Sequence, residues 1–145
     1  MTLRLDSVMG CSVRTRGEGG PQIVVEMEYL PQLSSNRRLT RNRYSGDTVL
    51  RYDVEKWMEQ LAWMIGVLRN GSNLEFKLPV KVVLAGEFPN RKVPDVHNFV
   101  KAVCDAIEDG LGINDKFYSV DCGAAKVVPG CEPKLIITIG EALSV

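Results

Sequence analysis

The sequence predicts an α+β fold: a single domain, residues 1–145, with a β-α-β-α-β-β mixed sheet and helices packed on it. Three observations predict it. Two long stretches repeat apolar residues at helical spacing. Four shorter ones carry β-branched or alternating apolar residues. The order alternates strand and helix at first and then closes on a hairpin at Pro129-Gly130. At 145 residues, 45% hydrophobic and 25% charged, the chain is long enough to bury a core without disulfide staples.

Residues 1–20 read as an irregular or extra-strand extension, with 11–16 a candidate strand and RGEGGP, 16–21, a turn. QIVVEMEY, 22–29, reads as a strand. Residues 30–48 are polar, carry no helical stripe and read as a long loop; connections of this length are usually functional or disordered. Residues 52–68 read as a helix through Trp57, Leu61, Met64, Ile65 and Leu68, with Asp53 suiting its positive end and Asn70-Gly71 ending it. Trp57 and Trp63 are assigned to the core or to a subunit contact rather than to base stacking. PVKVVLAG, 79–86, is a strand with Val80, Val82 and Leu84 on one side. EFPNRKV, 87–93, is a short basic loop. A central helix follows over 96–109, its stripe formed by Val96, Phe99, Val100, Val103 and Ile107, with Gly110 and Gly112 stopping it. Strands are expected over 117–128 and 134–139.

No apolar run reaches the roughly 20 residues of a membrane span. The first 20 residues lack the continuous apolar block of a secretion signal, so a cytoplasmic location is expected. Cys11, Cys104, Cys122 and Cys131 form no C-x-x-C pair, which argues against a zinc ribbon. Cys104 falls beside the apolar face of the central helix and reads as a small core residue. Formal net charge is zero, which counts against nucleic acid as a first guess. The charge is unevenly spread, however. Arg37, Arg38, Arg41, Arg43 and Arg51 crowd one segment against Asp47 alone. A basic segment beside an acidic pocket suits phosphodiester chemistry, in which arginines hold phosphates and carboxylates hold a metal.

The stretch from Pro94 to Asp115, PDVHNFVKAVCDAIEDGLGIND, carries the chemistry. Asp95-Val96-His97-Asn98 opens the central helix and Asn114-Asp115 follows it. Asp95 and Asp115 are hard oxygen donors of the kind magnesium takes. His97, Lys101, Asp105 and Glu108 project from one helical face. Lys101 can therefore meet a phosphate, with Asp105 one turn on to orient it. The same spacing also fits a solvated face with an i,i+4 ion pair.

This pattern resembles the signature of the RusA-type Holliday-junction resolvases, in which a D-x-D-N-x-x-K motif opens a helix, an Asp lies further along it, and a D-D pair follows. Asp95, Lys101 and Asp115 fall on the family's catalytic positions, and Asp105 also matches. PVKVVLAGEFPNRK before the motif and PQLSSNR, 31–37, after the first strand extend the likeness over roughly residues 22–140. Two positions depart from the pattern: His97 stands in place of a ligating aspartate, and Asn114 in place of the first acid of the pair.

The resemblance implies a RusA-like fold and a metal-dependent endonuclease that resolves four-way DNA junctions in recombination and repair, acting as a homodimer, with no membrane partner. The family is bacterial and often carried by phages. It implies Asp95, His97 and Asp115 as metal ligands, with Asn98, Asp105 and Asn114 as groups that orient them. It further implies DNA contacts from Arg37, Arg38, Arg41, Arg43, Arg91 and Lys92. Magnesium is the expected ion, with manganese favoured if His97 coordinates. His97 leaves three outcomes open: cleavage with an altered metal preference, completion of the site by another carboxylate such as Glu87, or DNA binding without cleavage. A homodimeric interaction module without a nucleic-acid role is the reading that zero net charge favours.

Overall fold

The computed structural model describes residues 5–15, 20–34, 37–123 and 125–141. Arg16 and most of the expected RGEGGP turn lie outside these. The strands of the main sheet are β1 (Val8–Arg14), β2 (Gln22–Glu28), β5 (Val80–Phe88), β6 (Tyr118–Cys122), β7 (Lys126–Val127) and β8 (Lys134–Glu141). Its order is β1-β2-β8-β5-β6, with β7 continuing the edge beside β5. The β1–β2, β2–β8 and β8–β5 pairs are antiparallel and β5–β6 is parallel. The sheet is therefore mixed, as expected, but the expected closing hairpin at Pro129-Gly130 is not formed among the described residues: β8 pairs with β2 and β5, whereas β6 and β7 pair with β5.

Alternation sets its two faces. Ile23, Val25 and Met27 of β2, Leu135, Ile137 and Ile139 of β8, and Val80, Val82 and Leu84 of β5 are all essentially inaccessible. Register stacks them: Ile137 lies opposite Val25 on one side and Leu84 on the other. Helices α1 (Tyr52–Gly71) and α2 (Val100–Leu111) cover this face, through Val54, Trp57, Leu61 and Ile65 and through Ala102, Val103, Ala106, Ile107 and Leu111. Trp57 is buried and its indole N–H donates to the Glu28 carbonyl at 2.9 Å, whereas Trp63 is exposed. The opposite face keeps half-buried side chains and cross-strand ion pairs. Lys134 lies 3.4 Å from both Glu26 and Glu87. Glu87 is thus engaged within the sheet.

A parallel pair needs a long crossover, and α2 with its flanking turns provides it between β5 and β6. A short 3-10 turn, Val96–Phe99, leads into α2, which runs two residues beyond the expected end. Gly110 does not stop the helix. It lies within it because a Cβ there would sit 2.7 Å from the Ala62 carbonyl oxygen and 2.9 Å from Ile65 Cβ. Only glycine lets the two helices approach so closely. Gly112, at φ 73°, is the stop.

Two other expectations need correction. Residues 30–48 are not a plain loop. They hold a 3-10 turn, Pro31–Leu33, and the start of a separate hairpin, β3 (Leu39–Arg41) with β4 (Thr48–Leu50). Its strands have three residues each and are largely exposed, so no alternating apolar signal marked them. Residues 117–128 are not one strand. A 3-10 turn, Asp115–Phe117, precedes β6, and pairing with β5 breaks after Cys122 and resumes at Lys126. No described helix is long and apolar enough to cross a membrane.

Candidate metal centre and nucleic-acid interface

The end of α2 and the turn after it bring three carboxylates together. Asp105 and Glu108 are one helical turn apart. Asp115 returns to them from the following 3-10 turn. One carboxylate oxygen from each lies within 4.8 Å of the others, and each residue is half-buried. Local hydrogen bonds aim Asp115. The Gly112 N–H donates to the Glu108 carbonyl at 2.8 Å and closes the helix. The Tyr118 hydroxyl donates to the Ile113 carbonyl at 2.7 Å. The Asn114 side chain accepts from the Lys116 N–H at 3.0 Å and caps the turn that begins with Asp115. Burial, and then the charge of Glu108, raise the Tyr118 phenol, which therefore stays protonated as a donor.

Lys101 reaches this group from the preceding turn of α2. Its ammonium pairs with Asp105 at 3.1 Å. That hydrogen bond, with the charge of Asp105 and then of Asp115, raises the lysine pKa, and Arg38 opposes the rise. Arg38 therefore stands within electrostatic reach of Lys101. Its Nε is buried and has no hydrogen-bond partner among the described residues. Arg37 acts on Tyr29, whose ring packs edge-on against Phe99 at 5.7 Å between centroids. The base of the arginine hairpin thus lies beside the start of the central helix. The pairing of the Arg51 N–H with the Arg38 carbonyl at 2.9 Å closes that base.

The other sequence-derived residues are placed as follows. Asp95 caps the Val96–Phe99 turn by accepting from the His97 N–H at 3.0 Å. Asp95, His97 and Asn98 are exposed. Among the described residues, Asp95 and His97 do not join Asp115 in a converging group of three; Asp105 and Glu108 do. Burial first, then the charge of Asp95, raises the Cys122 thiol. Burial, followed by Asp115, Asp105 and Cys122, pushes the Cys104 thiol up to about 11. Arg41 and Arg43 are exposed on the hairpin, and Arg91 and Lys92 are exposed on the loop that leads to Asp95. Glu108 was absent from the expected ligand set. Its position three residues after Asp105, on the Lys101 face, is the signal that could have found it.

As a donor set, three carboxylates without sulfur or nitrogen fit a hard divalent cation. Fold and site together define a class: a small α+β protein that sets an acidic group, a lysine and an arginine-bearing hairpin close to one another. The chain matches the family described as Endodeoxyribonuclease RusA over residues 28–140, and it belongs to that family. No curated protein matches the sequence.

Proposed function

We propose that the protein is a metal-dependent, structure-selective DNA endonuclease that resolves four-way junctions. The observation that carries the proposal is the convergence of Asp105, Glu108 and Asp115 beside Lys101 in a chain of the RusA family. Asp115 belongs both to this group and to the family's motif. It is the acid on which the reading depends. A magnesium ion held by these carboxylates would supply an activated water and neutralise charge at the phosphate; manganese is the alternative if His97 takes part.

The chain's own residues then divide the work. Asp105 and Glu108 present their oxygens from a rigid helix, and Asp115 closes on them from a capped turn. Lys101, charged and held by Asp105, meets a non-bridging phosphate oxygen. Arg38 offers its unpartnered N–H to the same strand. Arg37, Arg41, Arg43, Arg91 and Lys92 hold flanking phosphates. Asp95, Asn98 and Asn114 shape the two short turns that flank α2. The protein acts as a homodimer, whose symmetry matches that of a four-way junction. The location is cytoplasmic.

The test is nicking of a synthetic four-way junction beside a linear duplex of the same sequence, in magnesium and in manganese. The native protein is expected to nick only the junction, and Asp115→Asn to lower the rate at least about 100-fold. Glu108→Gln and Asp95→Asn, compared in the same assay, decide which acids complete the site. Undiminished cleavage by Asp115→Asn would overturn the mechanism. Junction binding without cleavage in either metal would instead leave a non-catalytic junction-binding protein.

A further inference from the structure

The tip of the β3–β4 hairpin is tightly built yet buries nothing. The Asn42 side-chain oxygen accepts from the N–H groups of Tyr44 at 2.8 Å and Ser45 at 3.1 Å. The Asn42 N–H donates to the Asp47 carbonyl at 2.8 Å, and the Gly46 N–H to the Asn42 carbonyl at 2.9 Å. Arg41 Nε reaches the Gly46 carbonyl at 3.2 Å. Gly46, at φ 77°, permits the reversal. On this ordered turn the Tyr44 side chain stands 90% exposed. The Arg43 guanidinium carbon lies 6.0 Å from its ring centroid.

A tyrosine held out in this way contributes nothing to the core, and the ring face away from Arg43 is open to stack. Its surroundings select the occupant. A protein partner's hot spot sets an aromatic anchor in an apolar, desolvated patch. Here the neighbours Asn42, Ser45, Gly46 and Asp47 are polar or small, Arg43 lies over the ring, and Arg41 is held on the Gly46 carbonyl of the same turn. Aromatic rings interleaved with cations suit nucleic acid, with the ring on a base and the guanidinium groups on phosphates. The hairpin and its base carry Arg37, Arg38, Arg41 and Arg43, so the ring stands within an arginine-rich segment.

We propose that Tyr44 stacks on a base at the branch point of the DNA, where a base has lost a stacking neighbour. Tyr44 thereby contributes to discrimination of branched from linear duplex. The inference rests on the branched-DNA reading above and adds to it the residue that senses the branch. In a continuous duplex every base is already stacked on both faces, so the ring has no site without the cost of opening a step.

The experiment uses a four-way junction with 2-aminopurine at the branch point and a linear duplex of matching sequence. Binding is followed without divalent ions by the native protein, Tyr44→Ala and Tyr44→Phe. The tip carries no core packing, so both variants are expected to fold. The native protein is expected to bind the junction and change the 2-aminopurine fluorescence. Tyr44→Phe is expected to retain that change and to bind within about twofold of native. Tyr44→Ala is expected to lose it, to bind the junction roughly 5- to 150-fold more weakly, and to bind the duplex as the native protein does. Native-like behaviour of Tyr44→Ala overturns the stacking role and leaves the branched-DNA reading standing. An equal loss on junction and duplex, or a loss in Tyr44→Phe as large as in Tyr44→Ala, also overturns it. Failure of the native protein to bind the junction overturns the branched-DNA reading, and the stacking role with it.

Discussion

Asp115 shows how little of a side chain's position comes from the side chain itself. It meets Asp105 and Glu108 because Gly112 turns the chain, Asn114 caps the next turn and Tyr118 fastens the loop between them. Tyr118→Phe removes one hydrogen bond, a cost of about 1 kcal/mol to stability. It should also weaken manganese binding at the acidic group on the order of 10-fold. Titration of the paramagnetic ion against both proteins checks this; equal affinities would mean that the loop is held by other contacts. His97 poses a different question. It is exposed and sits on the turn that Asp95 caps. If it is what restricts the metal site, His97→Asp should raise magnesium-dependent junction cleavage several-fold, measured against the native protein in the same buffer. Unchanged activity would show that His97 does not limit the metal site. The sequence placed Asp95, Lys101, Asp105 and Asp115 in one stretch, but spacing alone could not separate the acids that converge from those that cap a turn.

At the scale of elements, the pairing of α1 with α2 fixes where that acidic group stands. Gly110 lets the helices close, and Arg69 extends from α1 to donate to the Leu111 carbonyl at 2.8 Å, where a cation suits the negative end of α2. Gly110→Ala improves helix propensity by up to about 1 kcal/mol, but its Cβ would overlap backbone and β-branched atoms of α1. Overpacking of this kind costs about 1–3 kcal/mol, so a net loss of stability is expected. Gly71→Ala is the control, since a Cβ there meets nothing within 4 Å; it should be neutral or slightly stabilising. Thermal melts of the two variants, followed by circular dichroism, decide the point. The two helices and the strands β2, β5 and β8 were legible because each buries one face and so carries a period of 3.6 or 2. The hairpin β3–β4 was not, because it buries neither face.

At the scale of the molecule, a net charge of zero conceals a segregated surface. Acids converge at the end of α2, while arginines line the hairpin and its base. If the arginines hold about four phosphates, junction affinity should fall about 100-fold between 50 and 200 mM salt. Fluorescence anisotropy across that range measures the slope, and sedimentation of the same samples reads the mass expected of a homodimer. A flat salt dependence would return the protein to the class of interaction modules.

Apolar periodicity, turn residues and one motif-bearing stretch were enough to determine the α+β class, the central helix and the family resemblance. These are local properties, written in consecutive residues. Three things were decided only in three dimensions. Glu108 joins Asp105 and Asp115, Asp95 serves as a cap on its own turn, and Arg38 comes within reach of Lys101. The last joins segments far apart in sequence; the first two depend on how short turns fold back on a helix end, which spacing in the sequence does not record.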